Sequence, residues 1–193
     1  MAAFRATVTN LFIMRKYLCL LLFMLLSVAA SAQTNTLATF NLRQNEIMRI
    51  GMIVLGSWAL LNIIIGSFKL MKATRNKRFF FQMNIYWNIV NMIIASVALY
   101  SLLTQTPATQ NLTESIIQHD WYKKILYLNI GLDVAYLFIG IWLQERSKLS
   151  PKIEQLKGWG QSIVLQGFFL LVLDIVLATL LEGQAAILYN LIP

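Results

Sequence analysis

Four long apolar stretches, at about 47–71, 79–103, 123–143 and 159–181, each carry an Asn, Gln or Asp near the middle. A helix needs about 20 mainly apolar residues to cross a bilayer, and each stretch meets that length. Hydrocarbon penalises any polar group left without a partner. The central polar residues must therefore face one another or water. These two requirements predict an all-α membrane protein, an antiparallel four-helix transmembrane bundle preceded by a leader.

Composition supports the class. Of 193 residues, 58% are hydrophobic and 12% charged, against roughly 25% charged in soluble domains. The net charge of +8 would suit nucleic acid if the basic residues formed a patch. They lie instead in the leader and in short loops between apolar runs, so no nucleic-acid partner is expected. Cys19 and His119 are the sole Cys and His. Haem held between two His and a multi-His metal site within one chain are thereby excluded. No cofactor and no metal are expected, and no Gly-rich phosphate loop, nucleophile elbow or metalloprotease helix motif occurs.

Residues 1–32 read as a signal peptide, with Met14 as an alternative initiator. Arg15 and Lys16 form a basic start, residues 17–28 are apolar, and Ala30-Ser31-Ala32 makes an A-x-A cleavage box before Gln33. The alternative is an uncleaved fifth helix. Residues 33–46 would then be a short external segment, 47–182 the transmembrane domain, and 183–193 an external tail along the surface.

Charge sets the orientation. The first loop region holds Lys69, Lys72, Arg75, Lys77 and Arg78, and the third holds Arg146, Lys148, Lys152 and Lys157. The middle loop, 104–122, has neither Lys nor Arg. Positive loops stay cytoplasmic, so loops one and three are predicted inside, with loop two and both mature termini outside. That is a multi-pass protein of a bacterial inner membrane. Thr113 followed by Glu114 reads as a helix N-cap. His119-Asp120 reads as a solvated pair in the outer loop, with a metal shared between subunits as the sharper alternative.

The polar residues follow a seam. Asn84, Asn88 and Asn91, then Ala95 and Ala98, alternate steps of four and three, the 3.5-residue period of a left-handed bundle. Asn129, Asp133, Tyr136 and Gly140 repeat it. Gly51, Leu55, Trp58, Asn62 and Gly66 follow nearly in step, and Gly160, Gly167, Asp174 and Ala178 complete the set. Small residues let helices approach and polar ones hydrogen-bond across the seam. The indoles of Trp58 and Trp87 either join this network or pack against lipid. Counting ~1.5 Å per residue puts Asn91, Asp133 and Asp174 in one layer, with Asn62 and Asn88 nearer the cytoplasm. A buried carboxyl without a cation beside it favours its neutral form, and two that meet share a proton.

The segments Gly56-Ser57-Trp58-Ala59-Leu60-Leu61-Asn62 and Met83-Asn84-Ile85-Tyr86-Trp87-Asn88-Ile89-Val90-Asn91 resemble the G-x-W-x-L-x-N and M-N-x-x-W-N-x-x-N patterns of a bacterial family. Its members are small membrane proteins carrying only a domain of unknown function. The resemblance implies no activity, cofactor or substrate. The function expected from the residues is a non-enzymatic scaffold or accessory subunit, acting on a membrane-protein partner or as a homo-oligomer. The alternatives are a small proton- or cation-coupled transporter or channel using Asp133 and Asp174, and a membrane enzyme acting on lipid or quinone.

Overall fold

The computed structural model describes the backbone of residues 2–191 and the side chains of residues 36–191. The leader reading falls on residues outside the described side chains. The chain is all-helical: α1 (Ala2–Leu70), α2 (Arg75–Thr104), α3 (Leu112–Ser147) and α4 (Ile153–Tyr189), with one 3-10 turn at Pro107–Thr109. Among the described residues, four helical segments are long and apolar enough to cross a membrane, consistent with a multi-pass membrane protein: Thr36–Leu70, Arg75–Thr104, Leu112–Ser147 and Ile153–Tyr189. The shortest has 30 residues, ~45 Å at 1.5 Å per residue, against a hydrocarbon layer of ~30 Å.

The helices outrun the apolar windows because hydropathy and helix termination have different causes. Asn111 caps α3: its side chain accepts from the Glu114 N–H at 2.9 Å, and Glu114 returns a bond to the Asn111 N–H at 3.0 Å. This reciprocal capping box satisfies two otherwise orphaned donors, and it moves the cap from Thr113 to Asn111. Residues 33–46, expected as a short external segment, belong to α1. The tail expected from 183 onward is helical to Tyr189, so α4 continues straight past Gly183. These extensions have a buried side of their own. Phe40, Asn41, Gln44, His119 and Leu188 are each 2% exposed or less.

α4 is the central strut. It packs on α1, α2 and α3, and α1 also packs on α2, but no α-carbons of α2 and α3 lie within 8 Å of each other. Glycine sets the α3–α4 approach. A Cβ placed on Gly160 would sit 2.5 Å from the Gly140 carbonyl oxygen, and one on Gly140 would sit 2.8 Å from the Gly160 oxygen. Two backbones in contact leave no room for a side chain, the use that membrane helices make of small residues. The outer faces are apolar: Phe68 is 71%, Val97 65% and Phe138 69% exposed. A surface of that kind suits lipid tails rather than water.

Candidate functional site

The structure places the interior polar residues in two layers. The first is a network across α1, α2 and α4. The Trp58 indole N–H donates to Gln166 Oε1 at 2.9 Å. The Gln166 amide donates to Asn84 Oδ1. Asn84 Nδ2 donates to Asn62 Oδ1 at 3.0 Å, and Asn62 Nδ2 to the Trp58 carbonyl at 2.8 Å. Asn88 Nδ2 donates to the Asn84 carbonyl at 2.7 Å. Trp58 also stacks on Phe169, ring centres 4.0 Å apart. Of the two readings for the tryptophans, Trp58 joins the network. Trp87 instead meets Tyr136 edge to face at 4.8 Å.

Gln166 was not among the seam residues read from the sequence. It lies beside Gly167 and off the Gly160–Asp174 stripe. The signal for it was chemical rather than periodic: an amide inside an apolar membrane helix requires a partner.

The second layer is built differently. Asn91, Asn129, Asp133 and Asp174 line one cavity of about 660 Å³. Asp133 and Asp174 lie close enough to interact with each other, and Asn129 lies beside Asp174. Asn91 Nδ2 and Asp133 Oδ2 are buried without a hydrogen-bond partner. The rest of the wall is mainly apolar, and no Lys or Arg is among its described lining residues. The cavity follows from the separation of the α2 and α3 backbones. Tyr86, Val90 and Ile94 of α2 and Ile125 and Leu132 of α3 all line it. The same five side chains are 37–61% exposed, so the cavity is not sealed at this wall. The cavity therefore reaches the outside of the bundle sideways, between α2 and α3. The Trp87–Tyr136 contact bridges this gap at one level and Gln118–Gln105, at 3.1 Å, at another.

Two further placements concern charge. Lys69, Lys72, Arg75, Lys77 and Arg78 share one end of the bundle with Arg146, Lys148, Lys152 and Lys157, because the α1–α2 and α3–α4 turns meet there. Arg75 reaches Glu154 at 2.9 Å, and Gly158 abuts the backbone of Asn76 and Phe80. At the opposite end, Lys123 pairs with Glu182 at 2.6 Å and Arg43 with Glu46 at 2.7 Å.

His119 corrects the sequence reading. It is not a solvated loop residue but lies inside α3 with no exposure, Nδ1 2.7 Å from Gln44 Oε1, its ring edge-on to Phe40. The physical reason is the extension of α1 and α4 beyond the apolar windows, which gives α3 a face to bury. Asp120, on another side of the helix, accepts from the Tyr189 hydroxyl at 3.1 Å. Among the described residues no group of three or more His, Cys, Asp or Glu is arranged to hold a metal.

Fold and layers together define an all-helical protein with four membrane-length helices and a split polar interior. The chain belongs to a family described as a family of unknown function (DUF6992), whose model matches residues 54–175. That span contains the segments Gly56–Asn62 and Met83–Asn91 together with Asp133 and Asp174. No curated protein and no solved structure matches the chain.

Proposed function

We propose that this chain is a non-enzymatic accessory or binding subunit of a bacterial inner membrane, with both mature termini outside. One observation carries the reading. The Trp58–Gln166–Asn84–Asn62 network ties three helices together on the basic-end side of the cavity. Its polar groups hold helix to helix and do not line a path to that end. A polar interior of this kind suits a stable platform with a recess better than a conduit. Clustering of the nine basic loop residues at one end supports a cytoplasmic placement for that end. The two cations at the other end that are paired with acids are compatible with export.

The test has two parts. Reporter fusions after Arg78 and after Lys152 should read as cytoplasmic and one near Pro107 as external; the reverse pattern rejects the orientation. Crosslinking with mass spectrometry in native membranes should recover a constant partner, including a second copy of this chain. Recovery of the chain always alone rejects the accessory role.

The second reading, proton or cation handling by Asp133 and Asp174, is favoured by the closeness of the two carboxyls. It requires proton-linked flux in liposomes that Asp133→Asn or Asp174→Asn abolishes. Absence of flux in the unaltered protein removes it.

A further inference from the structure

The unpaired atoms of the second layer specify a ligand. The cavity wall carries one donor without an acceptor, Asn91 Nδ2, and one acceptor without a donor, Asp133 Oδ2. Burying such groups unpaired costs free energy. Both atoms are covered by neighbours, but the terminal torsions of Asn and Asp are broad, and a modest turn brings either to the cavity. A hydroxyl group both donates and accepts, so it answers Asn91 Nδ2 together with Asp133 Oδ2, whether that oxygen is bare or holds the proton shared with Asp174. An ammonium cannot accept, and a ketone cannot donate. A carboxylate or phosphate would be repelled by two carboxyls with no cation among the described lining residues.

The rest of the ligand follows from the surroundings. The walls are apolar, and about 660 Å³ lies within the ~300–1,000 Å³ of small-molecule pockets. The opening between α2 and α3 faces the level where lipid tails lie. The polar layer is ~20 Å from the ends of α2 by helix rise, near the middle of the bilayer. A charged lipid head is costly to bring to that depth, whereas a hydroxyl is far cheaper.

We propose that this cavity binds a hydroxyl-headed lipid, a long-chain or isoprenoid alcohol, entering from the bilayer between α2 and α3 with its hydroxyl on Asn91 and Asp133. The inference rests on the membrane reading above and adds the site and its ligand class.

Quenching of tryptophan fluorescence by dibrominated octadecanol, with the full chain in phosphatidylcholine nanodiscs, tests it, because Trp87 lines the cavity. Quenching should saturate, and Trp87→Phe should remove the saturable part. Dibrominated stearic acid, the matching ketone and the matching amine should each bind about tenfold more weakly than the alcohol, the loss of one or two hydrogen bonds. Ala98→Phe, which fills the cavity from α2, should abolish saturation. Asp133→Ala should weaken binding about tenfold with the thermal midpoint kept; if that variant does not fold, Asn91→Ala carries the same expectation. Quenching that never saturates, that ignores Ala98→Phe, or that is as strong with the acid or the ketone would overturn the site. Stronger binding of the amine would replace the hydroxyl by a cation and equally end the proposal. A wrong membrane orientation would show in the reporter fusions and leave these binding results unchanged.

Discussion

The two polar layers contain nearly the same residue types and reach opposite results. In the Trp58–Asn62–Asn84–Gln166 layer, each named side-chain donor has found an acceptor on a neighbouring helix or turn, and the buried oxygen left without a partner, Asn88 Oδ1, does not line the cavity. In the Asn91–Asn129–Asp133–Asp174 layer, two groups stay unpaired beside a cavity. The difference lies in the helices. The first layer sits where α1, α2 and α4 are packed on one another, and the second where α2 and α3 diverge. Polar residues in a membrane core become structural when backbones close around them. They stay available for a ligand when the backbones part.

The halves of the bundle are also held together by different means, and this predicts where substitutions hurt most. Gly160→Leu should have the largest effect. Its side chain would meet the Gly140 backbone, which cannot yield like a flexible side chain. A loss of ~3 kcal/mol or more, the upper end for overpacking, should appear as a lowered thermal midpoint in detergent. A folded variant with an unchanged midpoint would show that α3 and α4 are not in backbone contact.

Next comes Gln166→Leu, which strands the Trp58 N–H and Asn84 Oδ1 together. A destabilisation of ~1–3 kcal/mol is expected for such orphaned groups. Asp133→Leu makes the contrast, because it removes a carboxyl that has no partner for one of its oxygens. It should cost less than Gln166→Leu, under ~1 kcal/mol, while ligand binding is lost. If Asp133→Leu proves the more damaging of the two, the division into a structural and an available layer fails.

A smaller effect is expected at the outer end. Gln44→Leu leaves His119 without its hydrogen bond and should cost ~1 kcal/mol. The double variant with His119→Leu should recover much of it, measured as a coupling in a double-mutant cycle. Purely additive effects would mean that the 2.7 Å contact carries no energy. Smallest of all is Arg75→Ala. The ion pair with Glu154 is mostly exposed, so the midpoint should shift by no more than ~0.5 kcal/mol equivalent.

Legibility followed from the kind of force involved. Asn84, Asn88, Asn91, Asp133 and Asp174 were all assigned to the interior by periodicity and are all buried. A polar side chain in a membrane helix has few alternatives, so its position is almost forced. Gln166 escaped because it lies off the seven-residue repeat. His119 was misplaced because hydropathy measures transfer into lipid, and the bundle here extends past the apolar windows as an assembly of helices. The cap at Asn111 rather than Thr113 depended on which side chain reaches back to the Glu114 amide, a matter of local geometry.

The amino-acid order alone determined that four membrane-length apolar helices form, how long their apolar portions are, that the Asn and Asp stripe turns inward and which turns carry the positive charge. Those properties arise from transfer free energies and helical periodicity, and each belongs to a single segment. Only the assembled molecule decided that α4 would stand at the centre and that the backbones of α2 and α3 would stand apart, meeting through side chains such as Trp87 and Tyr136. These are relations between segments, set by how closely two backbones approach: the glycine contact at Gly140–Gly160 draws α3 to α4, leaving a gap that α2 does not fill. That gap makes a recess out of one polar layer, while a network one turn or two away stays closed.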